Sequence, residues 1–251
     1  MIDAARAFTL RGGHLNRGTR RILAAFGDAV CELWSQPDEG IWEPRSGRRK
    51  HTHSRLLCWT ALDRLIELHA RGLLPRSPIE RFARERAAIR QELAARAWNA
   101  ERKSWVATLD GDEVDATLLL IAWYGFDDAR SPRMRATWQR VRAELGCGDG
   151  LLYRYRNGGS PGEGAFGICS FWGAEYLGLG GGTPDEAARW LASLLRYGND
   201  VGLFAEEIDP DSGAALGNFP QAFTHVGLIN AAITLERRLR ARVAAPVGAR
   251  A

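Results

Sequence analysis

Two clusters of carboxylates lie in separate stretches rich in glycine and proline. One is Asp38, Glu39 and Glu43 in "PDEGIWEPR"; the other is Glu206, Glu207, Asp209 and Asp211 in "GLFAEEIDPDSGAALGNFPQAFTH". Two carboxyl groups flanking an acetal carbon can hydrolyse a glycosidic bond. One donates a proton to the leaving oxygen, and the other activates water or attacks directly. Burial against aromatic surface raises a carboxyl pKa and suits the donor. Trp42 offers Glu43 such a surface, provided that the two side chains do not point apart. Indole faces also stack on sugar rings, and the chain has nine tryptophans. The plainer readings stand beside this one. Glu43 also reads as a solvated loop carboxylate, and "EEIDPDSG" as a charged turn built on Asp209-Pro210 and Ser212-Gly213.

Other chemistries find less support. Asp209-x-Asp211-x-Gly213 matches part of a calcium loop, but the remaining ligand positions are absent. Asp110, Asp112 and Asp115 form a third acidic group, in which Asp115 reads as the cap of the apolar helix that follows. His51 and His53 could supply two metal ligands, but nothing nearby completes a site, and His14, His69 and His225 are scattered. Neither a metal nor a cofactor is expected. No serine sits in a G-x-S-x-G elbow, and no glycine set follows a strand to bind a nucleotide. Cys31, Cys58, Cys147 and Cys169 form no close pair and read as reduced thiols.

The elements that must position these residues are helical. Ile22, Phe26, Val30 and Leu33 recur at helical spacing over 19–34, and Leu57, Leu62, Leu65 and Ile66 over 54–69. Further helices are predicted over 78–99, 115–124, 134–145, 171–179, 183–197 and 220–238. Thr183-Pro184-Asp185-Glu186 carries a start signal, with proline at the first helical position. This gives eight helices and no strand series. Three long segments, Gln36–Thr52, Gly146–Ala165 and Gly198–Phe219, carry glycine, charge and aromatics together. Long structured loops on a rigid scaffold commonly hold function. Residues 1–18 read as a poorly defined segment that suggests a missing upstream portion. Residues 19–240 read as one helical domain, and 241–251 as a fraying tail.

The chain of 251 residues is 45% hydrophobic and carries a formal charge of +4, with only Lys50 and Lys103 as lysines. The positive balance is spread out, and its densest run, Arg45 to Lys50, has no interleaved aromatics, so a nucleic-acid partner is not expected. No apolar run reaches membrane-spanning length, and no signal core is present, so a cytoplasmic protein without membrane contact is the default.

The stretches "DEGIWEPR", "HTHSRLLCWTALDR", "DEVDATLLL", "LLYRY", "GEGAFGICSFW" and "GLFAEEIDPDSGAALGNFPQAFTHVGLINAA" occur in the order found in the bacterial glucoamylase-like enzymes of glycoside hydrolase family 15. Together they resemble the C-terminal part of that family's catalytic domain. The resemblance implies an all-α fold, a partial (α/α)6 barrel with about eight of twelve helices, and no N-terminal β-sandwich. It implies an inverting hydrolase of α-glucosidic bonds in malto-oligosaccharides or related α-glucosides. Trehalose hydrolysis is one alternative; a truncated, non-catalytic remnant or half of a split enzyme is another.

By the same resemblance Glu43 is the general acid and Glu206 the general base. Trp42 and Arg45 belong to the pocket-lining loop, Arg154 is similar to an arginine that binds the innermost sugar, and Phe166 stands where relatives carry an aromatic wall. Glu207 would hold Glu206 or bind a hydroxyl. Inversion implies carboxyl groups roughly 6.5–9.5 Å apart, with room for a water between them. An oligosaccharide or disaccharide is the implied partner, with an upstream complementary polypeptide as a further one.

Overall fold

The computed structural model describes residues 1–43, 47–156 and 163–244, with residues 243 and 244 described by backbone only. Contacts divide the chain into two units: Met1–Asn99 with Val106–Asp112, and Ala100–Trp105 with Glu113–Ala251. Among the described residues there are nine α-helices, joined by strands of two residues each.

The first unit contains α1 (Ile2–Leu10), α2 (Arg17–Leu33), α3 (Thr52–Ala70), α4 (Ile79–Arg96) and β1 (Trp98–Asn99). Helix α3 is its centre and packs on the other three helices. Leu56, Leu62, Leu65 and Leu68, at helical spacing, are all fully buried. Helix α2 begins at Asn16, whose side chain accepts the Thr19 N–H at 2.8 Å. Its Gly27 lets α2 approach closely: a Cβ there would meet the Phe82 ring at 2.5 Å and Leu65 at 2.8 Å.

Helix α1 corrects the expectation of a poorly defined segment over 1–18. It has no side-chain cap, which is why local signals miss it. Tertiary contacts hold it instead. Ile2 is buried, Asp3 pairs with Arg64 at 2.7 Å, and Arg6 pairs with Glu67, both partners being on α3. This helix accounts for the ninth against eight expected.

The second unit contains β2 (Ser104–Trp105), a 3-10 turn (Ala116–Leu119) running into α5 (Leu120–Trp123), α6 (Pro132–Leu145), β3 (Gly146–Cys147), β4 (Leu151–Leu152), β5 (Ala165–Phe166), α7 (Gly167–Tyr176), α8 (Pro184–Leu195), β6 (Glu207–Ile208), β7 (Ala215–Leu216) and α9 (Ala222–Ala244). Asp115 caps the 3-10 turn, its carboxylate accepting the Thr117 N–H at 3.1 Å. Helix α8 starts with a full capping box between Thr183 and Glu186, at the position the sequence marks.

Every residue of α7 is buried, and the helix packs against α5, α8 and α9. It includes Glu175, which is 2% exposed and whose Oε1 has no hydrogen-bond partner among the described residues. Burial pushes the Glu175 carboxyl up to about 8. Strands β5, β6 and β7 form an antiparallel sheet that pairs Phe166 with Glu207 and Glu207 with Leu216. Two of the three long segments, those around 146–165 and 198–219, meet in this sheet. Among the described residues no helix is long and apolar enough to cross a membrane.

Candidate active site

The sheet assembles four of the expected site residues in the second unit. Glu206 extends strand β6 by one residue: its N–H donates to Asn218 O at 2.9 Å, and its carbonyl accepts from Gly167 N at 2.8 Å. The side chain is half-buried. Its Oε2 accepts two hydrogen bonds, from Asn218 N at 3.0 Å and Asn218 Nδ2 at 2.8 Å. Among the described residues none reaches Oε1. Gly217 lies against this carboxylate with φ of 69°, and a Cβ there would sit 2.8 Å from Oε2. The glycine therefore serves both the left-handed backbone and the close approach.

Glu207 is also half-buried, and its Oε2 accepts the Gly164 N–H at 2.8 Å. Burial raises its pKa; the Gly164 hydrogen bond opposes that rise, and the charges of Glu163 and Glu206 add to it. This holds Glu207 in the sheet rather than against Glu206, since neighbouring residues on a strand face opposite ways.

Arg154 follows β4. Its Nε and Nη2 engage Glu163 Oε1 and Oε2 at 2.6 and 3.2 Å, a bidentate pair in which both side chains are largely buried. The guanidinium carbon lies 4.8 Å from the ring centroids of both Tyr155 and Phe166. Phe166 is itself buried on β5. The fork that a bound sugar was expected to occupy is thus matched by an internal carboxylate, and Phe166 forms a wall against the guanidinium.

Beyond Leu216 the chain turns back onto the segment before β6, where Gln221 N donates to Phe204 O at 3.0 Å. Phe204 N donates to His225 Nε2 at 3.3 Å, and the His225 ring nitrogen Nδ1 lies 2.7 Å from Gln221 O. The segment Asp209–Gly213 is a hairpin turn: the Asp209 side chain accepts from Asp211 N at 2.9 Å and Ser212 N at 3.0 Å. The turn reading of "EEIDPDSG" therefore holds for this part. Among the described residues no group of three or more His, Cys, Asp or Glu side chains is arranged to hold a metal ion.

Glu43 and Trp42 belong to the first unit. Their loop is anchored by a two-way main-chain pairing of Asp38 with Arg49 at 2.9 Å. The Asp38 carboxylate accepts from Gly40 N at 2.7 Å and Ser54 Oγ at 2.6 Å, and lies 3.5 Å from the fully buried Arg55. Arg55 in turn donates to the carbonyls of Ser35 and Gln36 at 3.1 and 3.2 Å. This carboxylate–arginine clamp fixes the loop's stem. At its tip Glu43 has φ of 44°, a left-handed conformation uncommon for a residue with a side chain.

Glu43 is exposed and Trp42 only half-buried. Arg45 lies outside the described residues.

The sequence model of the family described as "Glycosyl hydrolases family 15" matches residues 2–179 and 184–233. The chain belongs to glycosyl hydrolase family 15. This family 15 chain is 39% identical over 221 residues to a trehalase of Mycolicibacterium smegmatis, covering 84% of its own length and 32% of the relative's. It is 34% identical over 244 residues to a trehalase of Thermoplasma volcanium, covering 96% and 39%. The chain thus spans 32 to 39% of the length of these curated relatives.

Among solved structures it is similar to a wild-type glycosidase, with a TM-score of 0.72 at 19% identity, covering 83% of this chain and 58% of that one. It is also similar to a bacterial glucoamylase complexed with acarbose, with a TM-score of 0.69 at 11% identity, covering 89% and 40%. The structural likeness shows the fold of this family 15 chain: all-α, part of an (α/α)6 barrel. Glu163, Gly217 and Asn218 belong to the site as built, yet spacing alone does not mark them. Their signal was adjacency, within "GEGAFG" and "GNFPQAF", to residues already singled out.

Proposed function

We propose that this chain is an inverting glycoside hydrolase whose substrate is trehalose, with Glu43 as general acid and Glu206 as general base. The observation that carries the substrate is the 39% identity to a curated trehalase over 84% of the chain, against 11% to the glucoamylase structure. Malto-oligosaccharides, the first expectation from sequence, become the second choice.

In this reading Glu206 takes a proton through Oε1 from a water on the face of the glucose ring opposite the leaving group. Asn218 holds Oε2, so the carboxylate presents one defined oxygen. Glu43 protonates the glycosidic oxygen as the anomeric bond breaks. Its exposed position at the tip of a clamped loop gives a substrate access to it. Arg154, held between Tyr155 and Phe166, binds a sugar hydroxyl in this reading, and Trp42 and Arg45 are the sugar-binding residues proposed on the acid's loop. Glu207 braces the sheet beneath the base through Gly164. No cofactor enters the reaction: proton transfer between two carboxyl groups suffices.

A proton NMR assay of the first products tests this. Only one of trehalose's two anomeric carbons is attacked, so inversion releases one β-glucose and one α-glucose per turnover. Maltose and maltotriose serve as comparison substrates. Equal first-formed anomers from trehalose, abolished by Glu43→Gln and by Glu206→Gln, are expected. Release of α-glucose alone would overturn inversion, and preference for maltotriose would overturn the substrate.

The same assay tests the second reading, that these 251 residues alone do not turn over. A folded chain with no turnover on any of the three sugars is its signature.

A further inference from the structure

Helix α6 carries Arg135, Trp138, Gln139 and Arg142 at intervals of three, one and three, so all four share one face. That face borders two hollows of the second unit, of about 520 and 780 Å³, which have Trp138, Gln139 and Glu186 in common. The facing wall is the glycine turn Leu177–Gly181 with Gly182, followed by the first turns of α8, which supply Glu186 and Arg189. Arg130 and Arg238 line the smaller hollow. The turn admits these arginines. Gly180 has φ of 120°, and a Cβ there would sit 2.8 Å from Arg130 Nε. Arg238 reaches from α9 and donates to Leu177 O at 2.5 Å and to Gly182 O at 2.7 Å. Burial and the charge of Arg130 both lower the Arg238 pKa, as two cations near one hollow must. Arg142 is held by rings, its guanidinium carbon 5.7 Å from the Trp138 centroid and 5.4 Å from that of Trp190.

The charges around these hollows do not balance. Arg130, Arg135, Arg142, Arg189 and Arg238 stand against Glu186 and Asp149. Asp149 is paired with Arg196 at 2.8 Å, and Glu186 Oε2 accepts the Thr183 N–H at 2.6 Å. Among the described residues none of the five arginines has a carboxylate oxygen within 4.0 Å. Trp138 is only 7% exposed, yet its indole N–H has no acceptor among the described residues. Its benzo end is the one packed inward, since a Cβ on Gly173 of α7 would lie 3.3 Å from Cη2. The unspent groups are thus mostly N–H donors, charged and neutral, and such a set takes an acceptor-rich anion. A cleft lined by one sign of charge concentrates the opposite ion, and the volume is that of a small-molecule site. We infer that the hollow between α6, the glycine turn and α9 binds a small, multiply charged oxyanion, with Arg130 and Arg135 as its forks and Trp138 Nε1 as a neutral donor. The hollow lies past the C-terminal end of α7, whereas Glu206 O receives the Gly167 N–H at its start. Ten helical residues separate the two places, about 15 Å. The inference does not depend on the catalytic reading.

The test is isothermal titration calorimetry of the whole chain with inorganic phosphate, sulfate and citrate, at one ionic strength held with sodium chloride. Saturable binding of one equivalent of at least one of the three is expected, and the arm that binds tells a tetrahedral ion from a carboxylate. Arg130→Ala and Arg135→Ala should each weaken it by roughly tenfold or more, the worth of a charge-assisted hydrogen bond. Trp138→Phe keeps an aromatic ring, removes the N–H and should weaken it several-fold. Arg17→Ala removes the same charge from an exposed position in the first unit and should change nothing. The bound ion should also raise the melting temperature of the parent and not that of Arg135→Ala. Because Arg130 and Arg135 are exposed, the circular dichroism of both variants should match that of the parent, which separates lost binding from lost folding. No saturable binding of any of the three ions overturns the inference. Binding that Arg130→Ala and Arg135→Ala leave unchanged overturns it too, as does binding that Arg17→Ala weakens equally, since the ion would then answer only to net charge.

Discussion

Both nitrogens of Asn218, main-chain and side-chain, donate to a single oxygen of Glu206, at 3.0 and 2.8 Å. A carboxylate gripped at one oxygen has its other oxygen aimed. Asn218→Ala keeps the main-chain donor and removes the side-chain one. A hydrogen bond to a charged group is worth about 1.5–3 kcal/mol. In the proposed reading the variant should therefore lower kcat on trehalose by roughly 10- to 100-fold with little change in KM, because there the group acts on the base and not on the sugar. Steady-state kinetics check this; a change confined to KM would contradict it.

Gly217→Ala should disturb the same oxygen from its other side. The added Cβ would come 2.8 Å from Glu206 Oε2, on a backbone with φ of 69°. Loss of both the left-handed freedom and the space should cost about 1–2 kcal/mol. A lowered melting temperature together with lowered kcat is the expected pair. Normal turnover would show that the carboxylate has room to give way.

Glu163→Gln breaks a bidentate ion pair whose partner, Arg154, stays largely buried. Removing one side of such a pair leaves a charge without compensation and costs about 3–5 kcal/mol when burial is complete. With the Arg154 side chain 23% exposed, a loss toward or below the lower end is expected in urea unfolding. Arg154→Lys should lose most of it too, since an ammonium cannot fork.

Glu175 makes stability depend on pH. Its carboxyl is raised by burial to about 8 in the folded chain. As pH rises past the ordinary glutamate value, about 4.3, the unfolded chain gives up this proton while the folded chain keeps it. The folded state then binds more protons, so stability falls with pH between those values, by about 1.4 kcal/mol per unit, and levels off on either side. Glu175→Gln should flatten this slope, matching the parent near pH 4 and exceeding it near pH 8. Urea midpoints at the two ends measure it. A variant less stable at both would sink the argument.

Helices with local signals were readable from sequence. The Thr183–Glu186 capping box and the helical periodicity of α2 and α3 are written in spacing, although Ile22, Phe26 and Leu33 of the α2 stripe are exposed and its buried face carries Leu23 and Gly27. Helix α1 was not, because its support comes from Arg64 and Glu67, some sixty residues on. The acidic pair Glu206-Glu207 could be singled out by type, but its division of labour could not, since that depends on Gly164 and Asn218 arriving from other segments. The pairing of Arg154 with Glu163 spans nine residues across an irregular loop, where no periodic rule applies. The exposure of Glu43 and the left-handed φ at that position are likewise not written in its side-chain type.

The sheet of β5, β6 and β7 has one more consequence. Glu206 and Glu207 are chemically the same side chain, and only the strand's alternation sends one toward Asn218 and the other toward Gly164. A slip of one residue in the pairing would exchange their environments without altering any atom type. The sheet thus acts as a selector between twins, and the turn at Asp209–Gly213 is its lock. One residue inserted there could hand the position beside Asn218 to the wrong glutamate while the composition of the site stayed whole.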